Sequence, residues 1–215
     1  MLFPDAKLII FSKAPEAGQV KTRLIPALGI EGATRLHKVM LEQKLRLVSE
    51  NQIAATDLYC SPDHQHPYFQ QVTSSLNLDL HTQSGEDLGQ RMANALQTAL
   101  NTHTMAVIIG SDSPPLDLAY IKAAFQALEQ GSDAVVGPAI DGGYVLLGSR
   151  RFSNKLFANI NWGTDRVLTQ TRERLQQLDF SWIELDPLWD IDRPEDLIQY
   201  QTQLHSYGFV SLYNS

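Results

Sequence analysis

The chain has 215 residues, 43% hydrophobic and 19% charged, with a net charge of −7. That balance supports one substantial core and shows no basic stripe, so nucleic acid is excluded as the main partner. The single cysteine, Cys60, rules out an internal disulfide, reads as a small buried hydrophobe near a strand end, and fits a reducing compartment.

The start, MLFPDAKLIIF, sets a proline and two charges ahead of only four apolar residues. It is neither a secretory signal nor a membrane span. No repeat, linker or composition shift divides the sequence, so the expectation is one domain over residues 1–215 of a cytoplasmic protein without a transmembrane segment.

Residues 6–11, AKLIIF, read as a first, buried strand. A loop over residues 12–20 follows and leads into Lys21-Thr22-Arg23-Leu24, and Pro26 limits any helix there to a short piece. A strand, a flexible loop and two cations two residues apart make a phosphate-gripping arrangement, because backbone N–H groups and the two side chains converge on an anion. G-x-x-x-x-G-K-[ST] is absent, so this is not a Walker A loop. Against that stands the ordinary reading of Lys13, Lys21 and Arg23 as solvated charges. The position after the first strand favours the phosphate.

Residues 31–50 read as a long helix with Ala33, Leu36, Met40 and Leu47 on one face. Residues 56–60 form a second strand. The loop 61–66 holds His64 and His66 with no cysteine or third histidine nearby, which makes them solvated loop histidines rather than metal ligands. Residues 78–82 form a third strand. Ser84 and Asp87 then show the S-x-x-D spacing of a capping box, opening a helix with Leu88, Met92, Ala95, Leu96 and Ala99 inward. Arg91, near its start, is either a surface cation or a second grip on a nucleotide.

Residues 105–109, MAVII, run into Gly110-Ser111-Asp112-Ser113 and then Pro114-Pro115. A wholly apolar run bounded by turn residues is a strand buried on both faces. Asp112 therefore falls just past a strand's carboxyl end, where open α/β sheets place their ligands. A carboxylate there either ties down the turn or holds a divalent cation against a phosphate. Asp117 caps a helix to about residue 129, and 133–138 is another strand. Asp141-Gly142-Gly143 before the run 144–148 signals a hairpin, and its glycines also let backbone approach a ligand closely.

Thr164 is a good N-cap for a helix over 164–178, with Asp165 suiting its positive end. The exposed helix start, with Trp162 beside it, is open to an anionic or hydroxylic acceptor. Residues 180–185 are a last strand, and Trp189-Asp190-Ile191-Asp192 follows. A final helix then starts with Pro194 in its first turn. Asp192 passes as an N-cap, but Asp190 has no such role. Two carboxylates sharing one face of an extended segment repel unless a cation lies between them.

Asp112, Asp190 and Asp192 thus follow separate strands of an alternating β/α chain, with Lys21 and Arg23 on another loop. Together they describe a site for a nucleotide's phosphates and a metal ion, Mg²⁺ or Mn²⁺, which takes one or two protein carboxylates with phosphate oxygens and water. Ser-His-Asp spacing, G-x-S-x-G and zinc-ligand spacing are absent.

The segments FSKAPEAGQVKTRL, QSGEDLGQRM, GSDSPPL, DGGYVLLG, NWGTDRVLTQT and WDIDRPEDL, over residues 7–197, resemble a bacterial family of glycosyltransferase-like proteins associated with radical-SAM/selenodomain systems. More distantly the chain is similar to the phospholactate and molybdenum-cofactor guanylyltransferases. The resemblance implies a single-domain α/β, GT-A-like (nucleotide-diphospho-sugar transferase) three-layer sandwich, its mostly parallel sheet carrying helices on both faces. It implies a nucleotide over the first loop, with Ser12, Lys13, Gly18, Lys21, Arg23, Arg91 and Ser111 on the nucleotide side. A metal is implied on Asp112, with further ligands at Asp190 and Asp192. Asp141, Gly142, Gly143, Trp162 and Thr164 fall to the acceptor side. One departure is that this first loop has only Gly18, where the guanylyltransferases have several glycines.

Two reactions fit. In glycosyl transfer from an NDP-sugar, Asp112 with its metal, Lys21 and Arg23 stabilise the leaving diphosphate. In nucleotidyl transfer, an acceptor phosphate attacks the α-phosphorus of an NTP and pyrophosphate leaves. The first is favoured by the resemblance and the second by the Asp-x-Asp and by needing no general base, since none is obvious in the sequence. A third possibility, a nucleotide-binding module without catalysis, sits poorly with three retained carboxylates. The nucleotide-activated donor is the expected small-molecule partner, and the acceptor is unspecified.

Overall fold

A computed structural model describes residues 1–198 and Tyr200. Seven strands form one sheet, β1 (Ala6–Lys13), β2 (Ala55–Ser61), β3 (Asp79–Thr82), β4 (Met105–Gly110), β5 (Ala134–Pro138), β6 (Tyr144–Ser149) and β7 (Trp182–Glu184). Their order across the sheet is β3-β2-β1-β4-β6-β5-β7. Every pairing is parallel except those of β6, which runs against both β4 and β5. Among the described residues, the helices α1 (Ile25–Asn51), α2 (Pro67–Thr73), α3 (Leu88–Leu100), α4 (Leu118–Glu129) and α5 (Val167–Gln177) complete the frame.

The strands β1 and β4, both built on continuous apolar runs, pair at the centre, and their side chains alternate between two cores. Leu8, Ile10, Val107 and Ile109 pack with Leu41 and Leu45 of α1 and with Ile121 and Phe125 of α4. Ile9, Ala106, Ile108 and Leu147 pack on the other face with Met92 and Leu96 of α3 and with Leu168 and Leu175 of α5. The result is the expected α/β three-layer sandwich with a mostly parallel sheet. A third, smaller cluster lies off the sheet, where Leu24, Leu36 and Met40 meet Ile191, Leu197 and Tyr200. Among the described residues no helix is long and apolar enough to cross a membrane. Cys60 is free and fully buried, and burial, then Asp63, pushes its thiol up to about 12.

As expected, only short helical pieces surround Pro26, a 3-10 turn at Thr22–Leu24 and the first turn of α1, which breaks at Gly29, whose φ is +68. Other local expectations fail. Leu47 is only half-buried and Val48 takes the inward place. His64 and His66 are not simply solvated. The His64 ring bonds Thr82 at 2.7 Å, and the His66 ring accepts from Tyr68 N–H to cap α2, a helix the sequence reading missed. The cap of α3 is Asp87, which accepts from Gln90 N–H at 2.7 Å, so Ser84 and Asp87 form no capping box. Leu88, expected inward, is 45% exposed. Asp117 caps α4 as expected, accepting from Tyr120 N–H.

Candidate active site

The site is built at the sheet edge where β1, β2 and β4 end and the reversed β6 begins. After β1 the loop turns at Gly18, with φ +78, and reaches Lys21 in the left-handed region, φ +49. A 3-10 turn at Thr22–Leu24 follows and buries Leu24 completely. That local path sends the two cations to different places. Lys21 folds inward, its side chain 4% exposed, with Nζ 3.0 Å from Asp112 Oδ2 and donating to the Ile191 carbonyl. Arg23 stays exposed and pairs with Asp192.

The Asp112 turn and residues 189–192 are stitched side by side. Ile191 N–H donates to the Asp112 carbonyl at 3.0 Å, and Ser113 Oγ donates to the Trp189 carbonyl at 2.8 Å. Ile191, between the two aspartates, is fully buried in the third cluster beside Leu24, so one apolar contact anchors both the cation loop and the Asp-x-Asp. Asp192 does not cap the last helix with its side chain. Asp196 reaches back to the N–H groups of Asp192 and Arg193, which frees the Asp192 carboxylate for Arg23.

His37 of α1 is a site neighbour the sequence reading missed. Its Nε2 lies 2.9 Å from the Lys13 carbonyl and its Nδ1 lies 3.8 Å from Asp112 Oδ1. The available signal was its place on the buried stripe with Ala33 and Met40, where a polar ring needs partners.

The charges divide unequally. Burial works to raise the Asp112 carboxyl, but Lys21 and then His37 outweigh it and hold it well below the usual carboxylate range. Asp190 goes the other way. Burial, with the negative fields of Asp141, Asp192 and Asp112 against only Lys21, pushes it up to about 6. This edge therefore carries more carboxylate than its two cations neutralise.

A cleft of about 720 Å³ opens beside these groups. Asp141, Gly143, Trp162 and Thr164 line it together with Arg23, Asp190 and Asp192, while Lys21 and Asp112 pair with each other beside it. Gly142 instead locks the wall. Its φ is +92, a Cβ there would lie 2.3 Å from the Asp165 carbonyl oxygen, and its own carbonyl accepts from Leu168 N–H at 2.9 Å in the first turn of α5. Trp162 packs on Gly89, where a Cβ would meet its Nε1 at 2.5 Å, and stands edge-on to Tyr144. Thr164 is not the cap of α5, which begins at Val167. Its hydroxyl donates to the Asn161 carbonyl and accepts from Arg166 N–H.

The remaining expected residues do not line this cleft. Ser12 is buried with its hydroxyl on the Lys13 carbonyl, Lys13 and Gly18 are exposed on the first loop, and Ser111 is buried 3.4 Å from Asp112 Oδ1. Arg91 donates to the Gly85 carbonyl of its own loop.

Among the described residues, no group of three or more His, Cys, Asp or Glu is gathered as a ready metal cage. Asp112, Asp190 and Asp192 do not converge as the sequence reading assumed, because Lys21 sits on the first and Arg23 on the last. The donor chemistry still fits Mg²⁺ or Mn²⁺, which takes one or two carboxylates and completes its shell with phosphate and water. Asp190, raised first by burial and then by the fields of Asp141, Asp192 and Asp112, carries no cation of its own among the ion pairs of the described residues.

The profile of a bacterial family described as "Uncharacterized protein conserved in bacteria (DUF2064)" matches residues 44–164. No curated protein matches the chain. Its structure is similar to that of a candidate nucleotide-diphospho-sugar transferase from Desulfovibrio desulfuricans G20, at 30% identity over 95% of this chain and 90% of that one, with a TM-score of 0.86. The fold is also that of a 4-diphosphocytidyl-2C-methyl-D-erythritol synthase from Anaerococcus prevotii (11% identity, 94% and 99% covered, TM-score 0.62). It is shared too with glucosyl-3-phosphoglycerate synthase from Mycobacterium tuberculosis, in complex with Mn²⁺, UDP and glucosyl-3-phosphoglycerate (10% identity, 97% and 82% covered, TM-score 0.56).

Proposed function

From the premise that the chain belongs to the DUF2064 family, we propose that it is a metal-dependent transferase using a nucleotide-activated donor, and that it moves a sugar from an NDP-sugar to a hydroxyl-bearing acceptor. The observation that carries the choice is the lining of the cleft. Asp141, Asp165, Asp190, Asp192 and Asp196 face it against only Arg23 and Arg193, beside the rings of Phe11, Tyr144 and Trp162. With Asp190, Asp192 and Arg23 given to the metal and the donor's diphosphate, the remaining lining of Asp141 and Asp165 beside aromatic faces suits a neutral hydroxylated ring better than a phosphorylated acceptor, which nucleotidyl transfer would require. The likeness to a candidate nucleotide-diphospho-sugar transferase points the same way.

In this reading Asp190, with Asp112 or Asp192 once Lys21 or Arg23 turns to the phosphates, would hold Mg²⁺ or Mn²⁺, which when bound supplies Lewis-acid neutralisation of the donor's diphosphate. Lys21 and Arg23 answer the charge that builds on that diphosphate as the sugar leaves. Their present pairing with Asp112 and Asp192 holds them near the place where they act. Asp141 would take the proton that the acceptor's hydroxyl gives up, and Trp162 and Tyr144 would orient the ring.

The test is a thermal-shift screen followed by product analysis. A nucleoside diphosphate with Mg²⁺ or Mn²⁺, at about a hundred times its dissociation constant, should stabilise the fold by roughly 2.7 kcal/mol. With NDP-sugars and an acceptor extract, release of nucleoside diphosphate supports glycosyl transfer. Acceptor-dependent pyrophosphate from an NTP, with NDP-sugars inert, would replace it by nucleotidyl transfer, and binding without turnover would leave a nucleotide-binding module.

A further inference from the structure

Lys44 of α1 is 5% exposed and sits on the same buried stripe as His37. Its Nζ donates to the Ser113 carbonyl at 3.3 Å and to the Leu116 carbonyl. These carbonyls bracket Pro114 and Pro115, the two residues of the turn that have no N–H of their own. One backbone bond, Leu116 N–H to the Ser113 carbonyl at 3.3 Å, spans the turn. Lys44 thus supplies donors that the prolines lack. Desolvation lowers its ammonium to about 8, opposed by the field of Asp117 at the start of α4.

A buried cation held by carbonyls is an expensive way to fill space that methionine would fill with apolar contacts. Its retention makes sense through what the turn carries. Asp112 precedes Ser113 directly, and the Ser113 hydroxyl holds the Trp189 carbonyl, so the same turn sets both Asp112 and the segment bearing Asp190 and Asp192. We propose that Lys44 is a positioning residue, clamping the Ser113–Leu116 turn so that Asp112 and the segment 189–192 joined to it keep their relative placement for the metal–nucleotide complex. The inference rests on the metal–nucleotide reading of the site given above.

The experiment compares the unmodified protein with Lys44→Met and Lys44→Arg. Calorimetric affinity for Mg²⁺ with UDP, GDP, CDP or ADP is measured from pH 7 to 9.5, alongside ligand-free thermal stability. With Lys44→Met, affinity at pH 7.5 should fall at least tenfold while the ligand-free melting temperature holds or rises. Lys44→Arg should restore affinity to within about threefold.

The pH arm separates a clamp from a mere core residue. Because the folded ammonium sits below its unfolded value, ionisation of Lys44 makes the ligand-free fold more stable as pH rises from about 8 towards 10.5. Ligand affinity should move oppositely, weakening across pH 8–9.5 in the unmodified protein and staying flat in Lys44→Arg. Should Lys44→Met fail to fold, that contrast still decides. Unchanged affinity in folded Lys44→Met, a loss that only tracks a fall in melting temperature, or identical pH profiles for lysine and arginine would each overturn the proposal. Absence of binding by the unmodified protein would instead sink the site reading, and this inference with it.

Discussion

On one side of the cleft, the Lys21 loop, the Asp112 turn and residues 189–192 are joined largely by charged groups. On the other, the Asp141–Gly143 loop meets the start of α5 through backbone, with Gly142 against Asp165 and its carbonyl on Leu168 N–H. The first wall holds its groups by attractions that a new cation or phosphate can redirect. The second carries the carboxylates of Asp141 and Asp165 but is joined by backbone at Gly142, which fixes its shape. A donor that arrives with metal suits the first kind of wall, and an acceptor chosen by fit suits the second.

The sharpest way to break the charged wall is Asp112→Asn. Metal–nucleotide affinity should fall more than a hundredfold by calorimetry. Denaturant unfolding should show a loss of about 2 kcal/mol, because Lys21 is left buried without its anion while Asp112 itself stays partly in water. Undiminished binding would reduce Asp112 to a turn residue. The matching break in the backbone wall is Gly142→Ala. A left-handed φ and a Cβ driven onto the Asp165 carbonyl should cost about 2–3 kcal/mol, unaffected by salt. A strong salt dependence would contradict the backbone account.

Lys21→Ala sharpens the contrast further. Nucleotide affinity should drop roughly tenfold, the scale of one charge-assisted hydrogen bond, while Mg²⁺ alone binds Asp112 more tightly because its rival cation is gone. Equal behaviour of metal alone and metal with nucleotide would show that Lys21 serves only the fold. Asp190→Asn should stabilise the ligand-free protein by about 1 kcal/mol at pH 7.5, allowing for the water that reaches the group. The sign follows from its raised pKa. Ionising Asp190 in the fold weakens stability progressively from about pH 4 to 6, so the asparagine advantage is full above pH 6 and absent below 4. Arg23→Ala has the smallest expected effect, about a threefold loss of nucleotide affinity that shrinks as salt screens this exposed pair.

The sheet was legible because β1 and β4 are continuous apolar runs bounded by turn residues, and such runs have few alternatives to a buried parallel strand. The same punctuation located Asp112, the Asp-Gly-Gly hairpin and the Asp117 cap. What local pattern could not show was direction. Lys21 and Arg23 looked equivalent two residues apart, yet a left-handed backbone at Lys21 and the burial of Leu24 turn one inward and leave the other in solvent. Asp192 has the sequence context of a cap, but the carboxylate that reaches back to the N–H groups there is that of Asp196, four residues on. His37 and Lys44 were hidden differently. Their partners are carbonyls and a carboxylate far along the chain, and only a polar residue on an apolar stripe hinted at them.

The reversal of β6 has a consequence for how such a protein can diversify. Because this strand runs backwards, the loop that precedes it opens at the same edge where β4 delivers Asp112. The hairpin tip and the lead-in to α5, both within residues 139–168, therefore form a cassette that closes on itself through Gly142 and Leu168. Lengthening the tip or replacing Trp162 leaves the Lys21–Asp112 pair and the central strands untouched. An ancestral scaffold could thus keep one way of gripping an activated nucleotide and exchange what it decorates by rewriting a single contiguous stretch of gene.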